Sequence, residues 1–331
     1  MTVRTRRRAA VAAVAALPLL TLGCGGDSEP ASSGGGGGGG QETATVTLGV
    51  IPIIDVAPVY LGQEQGFFEE QGIELEISAG QGGAAIIPGI VGGSLDVGFT
   101  NNLSLVIASA RGLPLQVAAS GVDSTGDPEL DPFTISTADD SITRPADLAG
   151  KRVAVNAVNS VGDAVVTASV QADGGDPSSI EFVELAFPNM TAAMTAGDVD
   201  AAWIVEPFVT IGAPQGVRVL TTPLLDFTDI DVELSTYATS RQFAAENEDL
   251  LARFKTAMDQ SLEYAQQNTD AVRAVLPTYL DMPPEVAQQV RLPEWNTDVS
   301  RESFEAFADL AESNELLDGE PDLDTLLAGT D

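Results

Sequence analysis

The chain has no histidine and one cysteine, Cys24, and its 15 basic residues face 49 acidic ones. Without imidazole there is no histidine general base, no serine-histidine-aspartate triad and no histidine-ligated zinc. With a single thiol there is no internal disulfide and no thiolate metal cluster. A formal net charge of −34 argues against nucleic acid as a partner, because phosphate binding releases counterions only where Lys or Arg replaces them. The acidity reads as solvation, of the kind that suits a saline habitat. No metal and no cofactor is expected.

What is present starts with a leader. Residues 1–23 carry Arg4, Arg6, Arg7 and Arg8, then an Ala/Val/Leu run, then small residues before Cys24. The run is shorter than the about 20 apolar residues that span a bilayer, so it reads as a secretory signal. Thr21-Leu22-Gly23-Cys24 resembles a lipoprotein cleavage site, which would make Cys24 the lipidated residue. The alternative is an ordinary cleavable signal with an incidental cysteine. The consecutive arginines also leave a twin-arginine route open. Residues 24–43, with seven glycines from Gly34 to Gly40, can bury nothing and read as a flexible tether with a reach of roughly 25 Å.

From residue 44 the pattern is strand, helix, strand. Val46 to Ile51 is an apolar run broken at Pro52, residues 58–65 form a helix with proline in its first turn, and Gly66 closes it. Ile73-Glu74-Leu75-Glu76-Ile77 alternates as a strand with one wet face. A helix opening at Gln81-Gly82-Gly83 and a strand ending at Thr100-Asn101-Asn102 repeat the unit. Strands joined by helical crossovers make a parallel sheet, whose ligands lie off the carboxyl ends of the strands. Residues 153–156, 180–185 and 199–204 repeat this in the second half, and Gly93-Ser94-Leu95-Asp96-Val97-Gly98 answers Gly197-Asp198-Val199-Asp200-Ala201-Ala202. Asp96 and Asp200 read as turn formers rather than ligand contacts.

Several motifs follow in one order: Ala57-Pro58-Val59 before Gly66-Phe67-Phe68-Glu69, Gly72-Ile73-Glu74-Leu75, the Gly92 to Gly98 element, Arg111-Gly112-Leu113-Pro114, and the segment from Arg144 to Asn156. Together they resemble the solute-binding proteins of ABC importers, in the branch for nitrate, sulfonates, taurine and thiamine pyrimidine precursors. The likeness runs from about residue 46 to about residue 255. It implies an α/β, two-lobed type II periplasmic-binding-protein fold, each lobe a mainly parallel sheet flanked by helices, with two hinge crossings. Lobe 1 is expected at 44–138 and 230–331 and lobe 2 at 139–229, with residues 133–136 still in lobe 1, the first crossing at 138–143 and the second within 221–232. A single helix is expected at 241–268, with generic helices after it on the outside of lobe 1 and a frayed tail beyond Gly319.

The cleft residues follow from the strand-terminal loops. Asp55, Asp163 and Glu206 are acids there, each of which would serve equally as a helix cap. The segment from Trp203 to Phe208 matches the family element at the lobe junction, which favours ligand contact for Glu206. Gln81, Gly82, Thr100, Asn101, Asn102, Asn156, Asn159, Ser160 and Asn189 supply neutral donors and acceptors, and Phe187 and Trp203 an apolar wall, although aromatics at strand ends are more often core. No Lys or Arg falls on these loops, so a sulfonate or nitrate would depend on helix N-termini and neutral donors, while three acids without a basic partner favour a ligand presenting N–H groups or positive charge, such as an aminopyrimidine or another amine-bearing heterocycle. The resemblance implies a monomer lipid-anchored on the outer face of the cell membrane, which passes a small organic nitrogen- or sulfur-containing solute to ABC permease subunits. A membrane-tethered sensor is the alternative. A pyrimidine-forming enzyme of related fold would need reactive His or Cys.

Overall fold

A computed structural model describes residues 43–330. The signal segment, Cys24 and the glycine tether lie outside the described residues. Two five-stranded sheets organise the rest. The first contains β1 (Ala44–Val50), β2 (Ile73–Ala79), β3 (Val97–Asn101), β4 (Leu115–Asp123) and β10 (Glu233–Ser240), in the order β2-β1-β3-β10-β4. The second contains β5 (Phe133–Thr137), β6 (Arg152–Val155), β7 (Glu181–Glu184), β8 (Ala201–Val205) and β9 (Arg218–Thr221), in the order β7-β6-β8-β5-β9. Helices α1 (Ala57–Gln65), α3 (Gly83–Val91) and α4 (Asn102–Ala110) follow β1, β2 and β3, while α5 (Val161–Ala172), α6 (Phe187–Ala196) and the short α7 (Phe208–Gly212) follow β6, β7 and β8. One turn of helix, α2 (Phe67–Glu70), separates α1 from β2. Gly66 makes that junction possible, since its φ of 83° is a left-handed conformation that suits a residue without Cβ.

Each sheet holds one strand that runs against the others. β10 is antiparallel to β3 and β4, and β5 is antiparallel to β8 and β9. Both are the first strand laid down after the chain changes sheets. This corrects the expectation that residues 133–136 stay with the first sheet. Phe133 pairs with Val205 and Ile135 with Trp203, so the first crossing is the acidic loop 124–132 and not 138–143. The strand, buried along its whole length, would suit either sheet, and only its partners decide. The chain returns to the first sheet between β9 and β10.

The two aspartates of the repeat do the same job. Asp96 Oδ2 accepts from the Thr47 amide at 2.8 Å and the Thr47 hydroxyl at 2.6 Å, and the Asp96 amide donates to the Thr47 carbonyl. Asp200 Oδ2 accepts from the Arg152 amide at 2.7 Å and its own amide donates to the Arg152 carbonyl. Each clips the incoming end of one strand (β3 or β8) onto its parallel neighbour (β1 or β6), at the end remote from the facing loops.

Beyond β10 the helix expected at 241–268 is two helices, α8 (Arg241–Glu246) and α9 (Glu248–Gln267). Asn247 leaves helical backbone at φ −134°, and its amide and side-chain NH2 both donate to the Phe243 carbonyl, closing α8. α10 (Thr269–Tyr279), α11 (Pro284–Ala287) and α12 (Arg301–Ser313) follow. The tail beyond Gly319 is held rather than frayed. It forms α13 (Leu323–Leu326), capped by Asp322, and Gln116 reaches the Ala328 carbonyl.

Candidate functional site

The carboxyl ends of β1, β2 and β3 meet those of β6, β7 and β8 across a narrow seam. Asn101 caps α4 by accepting the Ser104 amide at 2.8 Å, which fixes its side chain so that its NH2 donates to the Ser160 hydroxyl at 3.3 Å. Ser104 and Ser160 hydroxyls lie 3.2 Å apart. Asn156 donates to the Gln81 carbonyl at 3.1 Å. The structure thus brings Asn101, Asn156, Ser160, Gln81 and Gly82 to one seam, together with Ser104, which sits in the first turn of a helix where periodicity assigns it to packing.

α3 starts at this seam with no side-chain cap, so its first amides are available to a ligand. The backbone can come this close because Gly82 and Gly83 have no Cβ. One built on Gly83 would stand 2.8 Å from Thr100 Oγ1 and 2.9 Å from Ser104 Oγ, and one on Gly82 3.1 Å from Asn156 Nδ2. Thr100 Oγ1 is fully buried and has no hydrogen-bond partner. A buried hydroxyl left without a partner costs about 1–3 kcal/mol, and a bound acceptor group would recover part of that.

Cavities open on both sides. A groove of about 360 Å³ runs from Ser104, Asn159 and Ser160 out between Ile87, Ile107 and Leu113 to Arg111, whose guanidinium pairs with Asp318. On the opposite side a cleft of about 280 Å³ is lined by Pro52, Gly80, Gln81, Phe187 and Pro188. A neighbouring one of about 310 Å³ shares Pro52 and Pro188 and reaches Phe208 and Tyr279. Phe187, which lines the first of these clefts, stacks on Phe208, which lines the second.

Other candidates sit elsewhere or are already engaged. Trp203 is 1% exposed, and the Cβ position of Gly162 lies 2.7 Å from its ring, so it is core rather than wall. Asn102 is fully buried inside the first half, donating to the Glu233 carbonyl at 2.7 Å and accepting from the Thr236 hydroxyl at 2.9 Å. Asn159, at φ 53°, and Asn189 are exposed at the rim.

The three acids differ. Asp163 spends its oxygens on the amides of Asn159 and Ser160, at 2.7 and 2.8 Å, which makes it a cap of α5. Burial nonetheless raises its carboxyl above the usual range. Glu206 accepts the Thr210 amide and hydroxyl at 3.1 and 2.8 Å and the Arg291 amide at 3.3 Å, and burial raises it too. Asp55 alone has an unsatisfied oxygen. It is 2% exposed, its Oδ1 has no partner, and burial, reinforced by the charge of Asp131, pushes it up to about 8.

Around Asp55 stand groups from the C-terminal third that sequence reading treats as generic. Tyr279 stacks on Tyr60 at 3.9 Å and donates to the Ile53 carbonyl, the Trp295 indole donates to the Asp55 carbonyl at 3.1 Å, and the hydroxyl of Tyr237 is buried without a partner. Arg291, the basic residue expected to be missing here, reaches the Asp131 carbonyl at 3.3 Å. Among the described residues no group of three or more acidic or thiol side chains is arranged to hold a metal ion.

The comparisons bear on the fold and the family. The taurine-binding periplasmic protein of Escherichia coli (strain K12) is 27% identical over 155 residues, 47% of this chain and 46% of that protein. The chain thus matches just under half the length of that relative. The formylaminopyrimidine-binding protein of Halalkalibacterium halodurans is 22% identical over 244 residues, covering 72% of this chain and 71% of that one. The alkanesulfonate-binding protein SsuA from Xanthomonas axonopodis pv. citri, solved bound to MOPS, superposes with a TM-score of 0.71 at 20% identity, over 86% of this chain and 98% of that one. The fold is that of the periplasmic binding proteins. The family model described as NMT1/THI5 like matches residues 53–272, and the chain belongs to that family.

Proposed function

We propose that this chain is an extracytoplasmic solute-binding protein that closes its two sheet-bearing halves on a small organic solute containing nitrogen or sulfur and delivers it to the permease of an ABC importer. The observation that carries this is the seam itself. Uncapped α3 amides, the orphaned Thr100 hydroxyl, Ser104 and Asn101 from one half face Ser160 and Asn156 from the other. Such a set binds and orients without making or breaking a bond, because no activated nucleophile stands beside a base. The relatives named above are binding proteins, which points the same way. Closure about the two crossings would enclose the solute. The anchor at Cys24 and the glycine tether belong to the same reading, as does a position on the outer face of the membrane.

The argument for an amine-bearing ligand rests on three acids, of which Asp163 and Glu206 have their oxygens occupied. What remains at the seam is rich in neutral donors, which suits the oxyanion end of a sulfonate, while Asp55 keeps a place for an N–H group. A thermal-shift panel of taurine, an alkanesulfonate, nitrate, bicarbonate, an aminopyrimidine and a simple amine tests this. At a hundredfold excess over Kd the true ligand adds about 2.7 kcal/mol. Stabilisation by the sulfonates is the expected result. Stabilisation by the amine alone would overturn the oxyanion preference, and no response across the panel would count against solute capture.

A further inference from the structure

Residues 288–300, between α11 and α12, belong to no strand and yet touch both halves. One end is rooted in the first half. Glu294 bridges to Asp123 at the end of β4, Asn296 donates to Asp123 Oδ2 at 3.2 Å, and the Ser300 amide donates to Glu233 Oε2 at 2.8 Å. The other end meets the second half. The Arg291 amide donates to Glu206 Oε1 and its guanidinium to the Asp131 carbonyl, each at 3.3 Å. Glu206 directly follows β8, and Asp131 leads into β5 by accepting the Phe133 amide at 3.0 Å.

Both acids are out of water, Glu206 at 1% exposure and Asp131 at 0%. Around Asp131 stand the Ser124 hydroxyl, the Thr125 amide and, as a like charge from beyond β1, Asp55. Around Glu206 stands Thr210. Among the described residues Arg291 is the basic side chain that acts on both, lowering each against the upward pull of burial. Buried charges without a partner are costly, so this cation offsets two unfavourable sites at once.

We propose that residues 288–300 are a third hinge strand beside the two crossings, with Arg291 as the positioning residue that reaches from the first half, by its guanidinium to the Asp131 carbonyl at the end of the first crossing and by its main-chain amide to Glu206 of the second half. Its relevance to solute capture rests on the function proposed above, but its test does not need a solute. In the full chain carrying Cys24→Ser, the changes Ser104→Cys and Ser160→Cys replace two hydroxyls 3.2 Å apart, so the rate of disulfide formation reports how often the seam is closed. Against that parent, Arg291→Gln should slow crosslinking about tenfold at pH 8, the effect of about 1.4 kcal/mol on closure. The loss should be smaller at pH 5 than at pH 8, because burial raises both carboxyls and a carboxyl that takes up a proton needs no counter-charge. Arg291→Lys should recover part of the rate, and Glu206→Gln combined with Arg291→Gln should relieve the loss.

Equal crosslinking by Arg291→Gln and parent at both pH values would overturn the proposal, as would an equal loss at both that Glu206→Gln does not relieve. If Arg291→Gln does not fold, recovery of the folded chain by the double variant supports the proposal and failure to recover it overturns it. A silent solute panel with the expected crosslinking pattern would remove the transport reading and leave the hinge strand standing.

Discussion

Replacing Asp55 by asparagine should flatten the dependence of stability on pH. Asp55 is 2% exposed, one of its oxygens is unpartnered, and burial raises its carboxyl from 3.8 to about 8. Below about pH 4 the group is protonated in the folded and unfolded chain alike, and its contribution is fully present. Between about 4 and 8 only the folded chain keeps the proton, so unfolding releases it and rising pH favours the unfolded state. The slope is about 1.4 kcal/mol per pH unit, or about 2.7 kcal/mol lost between pH 5 and 7. Burial at this site is nearly complete, so solvent screening does not discount the figure. Glu233, raised to about 8 by burial and the neighbouring Asp123, adds a parallel slope, which asparagine at position 55 leaves in place. Urea unfolding at pH 5, 6 and 7, followed by the fluorescence of the buried Trp203 and Trp295, measures both proteins. Asp55→Asn should lose less stability than the parent by roughly the amount given. Identical slopes would refute the reasoning, since they would mean that Asp55 is ionised in the folded protein at neutral pH.

Gly82→Leu should separate folding from capture. The φ of 165° at Gly82 is extended backbone open to any residue, and a Cβ there meets Asn156 and Ala157 of the other half. The ligand-free urea midpoint should stay near the parent's, while the about 2.7 kcal/mol of solute stabilisation disappears; a retained shift would place the solute away from the seam. Asn102→Ala should do the reverse. Losing two buried hydrogen bonds should lower stability by about 2–3 kcal/mol with the solute shift intact, and a lost shift would show that Asn102 does more than join β3 to β10.

How far the sequence is legible depends on the range of the contact that decides each feature. The helix cap of Asn101 and the left-handed Gly66 are set by neighbours a few positions away, and the acids Asp96 and Asp200, although they bond to residues 49 and 48 positions off, stand out because the same turn occurs in both halves of the sequence. The strand from Phe133 to Thr137 is readable as a strand and not as a member of the second sheet, because its pairing with β8 joins residues about seventy positions apart. Arg291 is further out of reach. It stands 85 positions from Glu206 and 160 from Asp131, and nothing in the residues beside it marks a third link between the halves.

The acids carry the same lesson into the chemistry. Counting Asp55, Asp163 and Glu206 as three free carboxylates in a cleft invites an amine as ligand, but the quantity that matters is the lone pairs left over after the backbone has taken its share. Asp163 lies in the first turn of α5, and Glu206 stands just before α7, where unsatisfied amides compete for their oxygens first. Asp55 lies in the short turn Ile54–Val56 ahead of α1, whose N-cap, Val56, offers no side chain, and whose Pro58 has no amide to give. One oxygen of Asp55 is therefore free for a reason written in the sequence. Of the three acids, Asp55 is the one with a buried oxygen that no neighbour claims.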